Sequence, residues 1–307
     1  MKFSKDYLNE IAKKENIFYE LTEDESTLLK KCVFEMYKDV VQVCEKYNLC
    51  IMLGGGSLLG VVRHQGFIPW DDDIDAMMPR QDYNKFREIF EKELGGKYWV
   101  SAPCMNDNTE ILFMQILKKD TRMLGIDNIH LDDKKNAIRI DIFPIDDAPS
   151  NKIIRNIVGS LAFMYRFLVY SVPIYKIRNK YPQFKNSFSY STKAKFLYRI
   201  RFTMGMLLSI FPQKLLFNSF DKFVSSFKGG KFCTIPTGRN WYKGEMLQKE
   251  VFTPSKKAIF ENTEVSIPND TLAYLVNLYG DYMKIPPPEK RERHFYIEFS
   301  LDVTKRK

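Results

Sequence analysis

The sequence is short of the residues that build thiol and disulfide sites. It has five cysteines (Cys32, Cys44, Cys50, Cys104 and Cys233), an odd number at no metal-ligand spacing. That excludes a cysteine-bound zinc and fits reduced, buried thiols in a reducing compartment. No apolar signal region follows the charged opening Met1-Lys2-Phe3-Ser4-Lys5-Asp6, so a cytoplasmic location is expected. There is no internal repeat and no low-complexity segment. The best apolar window, 153–175, is interrupted by Arg155, Asn156, Arg166 and Pro173, which argues against a transmembrane helix.

What is present is ordinary globular composition, 45% apolar and 28% charged over 307 residues. That length supports one large domain or two unequal ones. The formal charge of +9 admits nucleic acid, an anionic membrane surface or a phosphorylated substrate as partner, and selects none of them.

The chemistry concentrates in 51–79. An apolar run leads into Gly54-Gly55-Gly56-Ser57, and Trp70 leads into Asp71-Asp72-Asp73-Ile74-Asp75. Four aspartates in five positions repel one another, so the cluster calls for a counter-ion, usually a metal. Helical periodicity predicts a helix over 23–47 behind a capping box, and a short buried strand over 49–53. A helix over 57–62 would carry Gly55, Gly56 and Ser57 at its N-terminus, where backbone N–H groups favour phosphate. A strand over 73–78 would put Asp73 and Asp75 on one face, close enough to share a metal. Helix 81–94 follows, then strands 98–102, 111–118 and 137–143. In the last, Asp141 sits mid-strand among isoleucines. A charged helix over 5–20, short strands within 231–270 and a helix over 270–278 complete the reading.

Gly56-Ser57 opening a helix, Asp73 and Asp75 on the next strand and Asp141 on a later one resemble the nucleotidyltransferase superfamily. A narrower resemblance is to the LicD family. It rests on Gly55-Gly56-Ser57-Leu58-Leu59-Gly60, Arg63-His64, Gly66 to Asp75, and Pro79-Arg80-x-Asp82-Tyr83. Asp141-Ile142-Phe143-Pro144-Ile145-Asp146, Tyr279-Gly280-Asp281-Tyr282-Met283, Pro286-Pro287-Pro288 and Lys290-Arg291 extend it. Fukutin-type transferases are similar around the aspartates. The resemblance implies an α+β fold: a nucleotidyltransferase-like mixed sheet with flanking helices. It also implies transfer of a phospho-alcohol such as phosphocholine from a CDP-linked donor to a sugar hydroxyl of a surface polysaccharide, teichoic acid or lipopolysaccharide, with CMP leaving.

On that footing Asp73, Asp75 and Asp141 are the expected catalytic and metal-binding residues for Mg²⁺ or Mn²⁺, with Asp71 a further ligand or a turn residue. Gly55, Gly56, Ser57, Arg63 and Lys118 are expected at the donor phosphates. Arg63 also has the option of pairing with an aspartate, and Lys118 of a solvated turn. Asp72 faces away and is expected to meet a basic residue. Trp70 either packs or faces a quaternary ammonium, and His294 either closes over the site or stays outside it.

The organisation expected is a catalytic core over 1–150, a helical basic-aromatic insertion over 151–230, and a C-terminal part, 231–307, that completes the catalytic domain. The insertion is either a packed helical unit or a surface that brings the protein to the inner face of the membrane. Two other functions stay open. A true nucleotidyltransferase would release pyrophosphate. A basic binding module would leave the aspartates unexplained, and nucleic acid is not expected as partner.

Overall fold

The structure, a computed structural model, describes residues 18–105, 110–125, 131, 135–176, 192–291 and 294–304. Helix α1 (Glu23–Lys46) starts at a reciprocal cap: the Glu25 N–H donates to Thr22 Oγ1, and the Thr22 N–H donates to Glu25 Oε2. Leu29, Val33, Met36, Val40 and Val43 form its buried stripe. The chain then runs through β1 (Met52–Leu53), α2 (Gly55–His64), β2 (Asp75–Pro79), α3 (Arg80–Leu94), β3 (Tyr98–Ser101), β4 (Met114–Lys118), β5 (Arg122–Gly125) and β6 (Arg139–Ala148).

Helices α4 (Lys152–Val169), α5 (Ser171–Lys176), α6 (Thr192–Leu208) and α7 (Gln213–Val224) follow. The remainder is β7 (Phe232–Thr234), α8 (Trp241–Gly244), β8 (Leu247–Gln248), β9 (Lys256–Phe260), β10 (Thr263–Ile267), α9 (Thr271–Tyr279) and β11 (Tyr296–Ser300).

The mixed sheet with flanking helices is present. Its strand order is β1-β2-β6-β4-β3, and β7 and β8 extend it from the far end of β6. Only β2 and β6 run parallel among the described pairings, with Asp75 opposite Asp141 and Met77 opposite Phe143. Strand β4 is antiparallel to β6 and places Gln115 opposite Asp141. Ala76, Met78, Ile140 and Ile142 are buried under α1 and α3 in the main core.

Strand β2 starts two residues later than the alternation predicts. Asp73 precedes the ladder, while Asp75, the first residue paired with β6, is in it. Strands β5 and β11 form a separate antiparallel pair that the sequence reading did not assign. Each is four or five residues long, and the partner lies more than 170 positions away, so no local turn signals them. The expected helix over 5–20 falls almost wholly outside the described residues. Its end is described, and Tyr19 bridges Tyr296.

A second apolar cluster joins Val158, Ala162 and Val169 of α4 to Phe217, Phe220 and Val224 of α7. The stretch Lys152–Lys176 is long and apolar enough to cross a bilayer by length and composition. Close to half of its most apolar eighteen-residue window is nevertheless buried inside the protein, and Arg166 Nη1 donates to the carbonyls of Pro236 and Gly238.

The two clusters are tied by a buried ionic knot. Arg80 grips Asp146 of β6 through Nε at 2.6 Å and Nη2 at 2.7 Å, and reaches Asp221 of α7 through Nη1 at 2.7 Å. Arg87 meets the other Asp221 oxygen at 3.1 Å. Two arginines two turns apart on α3 therefore fix the end of β6 and the helical region to the same helix.

Candidate active site

The parallel pairing of β2 with β6 sets Asp75 and Asp141 side by side, about 4.8 Å apart at the backbone and facing the same way. The Asp141 N–H donates to the Ile74 carbonyl, so the ladder continues toward Asp73. Gln115 Nε2 donates to Asp141 Oδ1 at 3.0 Å and fixes that carboxylate. Arg139, two residues before Asp141 and so on the same strand face, has a buried Nη1 with no hydrogen-bond partner among the described residues.

The glycines explain themselves here. A Cβ on Gly55 would lie 2.5 Å from Asp75 Oδ2, and one on Gly56 would lie 2.7 Å from Asp71 Oδ2. Gly55 also has φ +50°, which favours glycine. The N-terminus of α2, the positive end of its dipole, is thus covered by two carboxylates. Ser57 is buried, and its Oγ accepts the Asp75 N–H at 2.9 Å. The Gly55 N–H is taken by Tyr274 Oη at 3.2 Å. The Gly-Ser turn therefore builds the acid cluster itself, holding Asp71 and Asp75 in contact with the helix end.

Electrostatics follow from the crowding. Desolvation, then Asp73, Asp141 and Asp71, push the Asp75 carboxyl well above the usual range. Desolvation, then Asp73, does the same to Asp71. Asp141 is pushed up to about 6 by desolvation against the pull of Arg139, with Asp73 adding to the rise.

The C-terminal segment closes over this cluster. His294 Nδ1 lies 2.7 Å from Asp72 Oδ1, its Nε2 lies 3.5 Å from Asp73 Oδ2, and Tyr296 Oη donates to Asp72 Oδ2 at 2.9 Å. Desolvation would lower the His294 pKa, but Asp73, Asp72 and Asp71 override it and hold the imidazole charged well above its ordinary value. Asp72 meets the opposite balance: desolvation raises it, and His294, then Tyr296, bring it below the usual range. Asp71, Asp72 and His294 also place one ligand atom each within 4.8 Å of one another. Since His294 is already paired with Asp72, this corner serves as an ionic clasp on the acidic loop.

The remaining expected residues fall as follows. Asp71, Asp73, Asp75 and Asp141 come together, with His294 beside them. Arg63 Nη1 donates to the Tyr282 carbonyl at 3.2 Å, joining α2 to the 279–283 block. The Arg291 guanidinium stands 4.2 Å from the Trp70 ring centre, so that ring face already carries a cation. Lys118 is not brought to the cluster. It lies three positions from Gln115, hence on the opposite face of β4, with Nζ over the Tyr98 ring.

Gln115, Arg139, Tyr274 and Tyr296 are additions that sequence reasoning missed. For Gln115 the signal was one amide in an apolar strand, and for Arg139 its place two positions before Asp141. The two tyrosines gave none.

Comparison with known proteins agrees with this geometry. The family described as LicD/FKTN/FKRP, nucleotidyltransferase domain, matches residues 48–167, from just before β1 to within α4. The lipopolysaccharide cholinephosphotransferase LicD of Haemophilus influenzae is 28% identical over 266 residues, covering 83% of this chain and 90% of that protein. An uncharacterized protein of Rickettsia typhi is 38% identical over 65 residues, 20% of this chain and 21% of its own length. One from Rickettsia prowazekii is 37% identical over 57 residues, 19% of this chain and 21% of its own length. The acid cluster lies inside the matched domain and the Haemophilus relative aligns along most of both chains, so residues 48–167 carry a LicD-type domain.

Proposed function

We propose that this protein is a metal-dependent transferase. It moves a phospho-alcohol such as phosphocholine from a CDP-linked donor to a sugar hydroxyl of a cell-surface glycan, lipopolysaccharide or teichoic acid, or to a lipid-linked precursor of one. The observation that carries the reading is the in-register pairing of Asp75 with Asp141, with Asp75 and Asp71 against the same helix end. The choline phosphate and the lipopolysaccharide come from the name of the Haemophilus relative.

The residues fit a divalent cation. Carboxylate oxygens that burial, and then their mutual repulsion, hold toward the neutral form in two cases are the hard donors that Mg²⁺ and Mn²⁺ take. Asp73, Asp75 and Asp141 would hold it, with Asp71 beside them. Bound there, the ion would neutralise the phosphate oxygens of the donor.

The chain's own groups do the rest. The acceptor hydroxyl attacks the phosphorus distal to cytidine. An O–P bond forms there as the P–O bond to CMP breaks, and Asp141 receives the hydroxyl proton. Gln115 orients Asp141 for this. Arg139, on the same strand face as Asp141, is the cation for the anionic donor. His294 and Tyr296 act through Asp72 and position the loop that carries Asp71 and Asp73. In this reading, residues 1–150 and 231–307 form a nucleotidyltransferase-type catalytic part and 151–230 is a helical insertion.

The test is incubation of the protein and Mg²⁺ with a panel of CDP-alcohols and a lipopolysaccharide acceptor. CMP release that requires the acceptor and is lost in Asp75→Asn supports the reading. Pyrophosphate release from CTP or ATP, with the nucleotide retained on the product, would sink it in favour of nucleotidyl transfer.

A further inference from the structure

The charge of this chain is distributed very unevenly. Residues 151–230 contain fourteen Lys and Arg and a single acid, Asp221. That segment carries +13, and the rest of the chain, with 33 basic and 37 acidic residues, carries −4. The one acid is buried and bound by Arg80 and Arg87, so no carboxylate of the segment reaches its surface.

The same segment exposes apolar side chains in order rather than at random. On α4, Ile153, Ile157, Leu161 and Met164 are exposed at helical spacing, Ile153 at 71%. The opposite stripe of Val158, Ala162 and Val169 is buried against α7. On α6, Phe196, Arg199, Thr203 and Met206 share one exposed face, which leads to Ile210 at 79% exposure before α7. Helix α4 packs on both α6 and α7. Exposed Lys152, Lys195 and Arg199 accompany these faces.

We infer that the outer faces of α4 and α6 form a docking surface for an anionic lipid bilayer, on which the protein rests without crossing it. Basic residues flanking an ordered apolar face are what interfacial helices use: the apolar side chains enter the acyl boundary and the cations meet lipid phosphates. The sign of the charge argues against a second copy of this chain, because two such faces would set like charges against each other. The apolar stripes argue against nucleic acid, whose phosphate backbone rewards cations alone. Crossing is opposed by the burial of one side of α4 and by the internal bonds of Arg166. This inference stands apart from the transfer reaction, because its readout is membrane binding and needs neither donor nor acceptor.

The experiment is flotation of the full chain with vesicles of phosphatidylcholine alone and of phosphatidylcholine mixed with phosphatidylglycerol, at low and high salt. The expected result is binding to the anionic vesicles only. It should weaken about tenfold or more in Ile157→Glu and in Ile210→Glu, and by a similar factor in Lys152→Glu/Arg199→Glu. These positions are exposed, and circular dichroism verifies that each variant is folded.

Three results would overturn the inference. One is no binding to anionic vesicles. The second is binding that the Ile variants leave unchanged, which means charge alone is at work. The third is protein that stays in the membrane after an alkaline carbonate wash, which means it spans. Light scattering adds a fourth: a dimer in the wild type that Ile157→Glu dissolves would assign the face to a second copy.

Discussion

Replacing Arg80 by methionine tests the claim that the ionic knot holds the sheet to the helical region. Methionine keeps most of the stem volume and removes the guanidinium. Asp146, with a fully buried side chain, then loses both bonds from its charged partner, and Asp221, 4% exposed, keeps Arg87 as its charged partner. Removing one partner of a buried pair leaves an uncompensated charge and costs about 3–5 kcal/mol. Arg80 joins two such carboxylates, so the upper part of that range is expected. Typical native stability is about 5–15 kcal/mol, so a loss of this size is a large fraction of the whole.

Urea unfolding followed by tryptophan fluorescence, with far-ultraviolet circular dichroism as second probe, measures it. The control is Arg80→Met/Asp146→Asn/Asp221→Asn. Neutralising both acids removes the stranded charges, so this variant should recover most of the loss. A single substitution costing less than about 1 kcal/mol, or a triple variant no more stable than the single one, would refute the argument.

Asp75→Asn should abolish transfer while leaving the fold intact, and it should raise the melting temperature of metal-free protein, because it relieves repulsion from Asp73, Asp141 and Asp71; calorimetry and a CMP-release assay check both. Mg²⁺ at a hundred times its dissociation constant should stabilise the wild type by about 2.7 kcal/mol, and Asp75→Asn should show a much smaller shift. Gly56→Ala drives a methyl group toward Asp71 Oδ2 and should weaken the response to Mn²⁺ at least tenfold, an effect that titration of activity against metal would detect. His294→Ala should lower kcat with little change in donor KM, since the imidazole works through Asp72 and Asp73, and an unchanged kcat would remove it from the site.

Much of the catalytic region was readable because its signals are local. The reciprocal cap at Thr22 and the apolar stripe behind it place α1 within a residue of its predicted end. The acid cluster and the glycines lie within twenty-five positions. Asp141 stood out as a lone acid between isoleucines, and the register confirms its place beside Asp75. The misses share a cause as well. Strands β5 and β11, and the grips of Tyr274 and Tyr296 on the 55–75 region, join residues that periodicity cannot connect. Sequence spacing assigned the Gly-Ser turn to phosphate, and the structure adds a relation that spacing does not show: Ser57 Oγ accepts from the Asp75 N–H, and the Asp71 and Asp75 carboxylates stand at the helix end. Lys118 was placed by its charge and its position at a strand end, and strand parity puts it on the other face of the sheet from Gln115.

The clasp on Asp72 has a consequence in time. Its two partners follow it by 222 and 224 positions in the chain. At ribosomal rates of about 5–20 residues per second, the acidic loop is made roughly 10–45 s before His294 and Tyr296 exist to hold it. The growing chain therefore passes through a period in which the acids are present and unclasped. The clasp is completed last, with the segment that pairs β11 to β5.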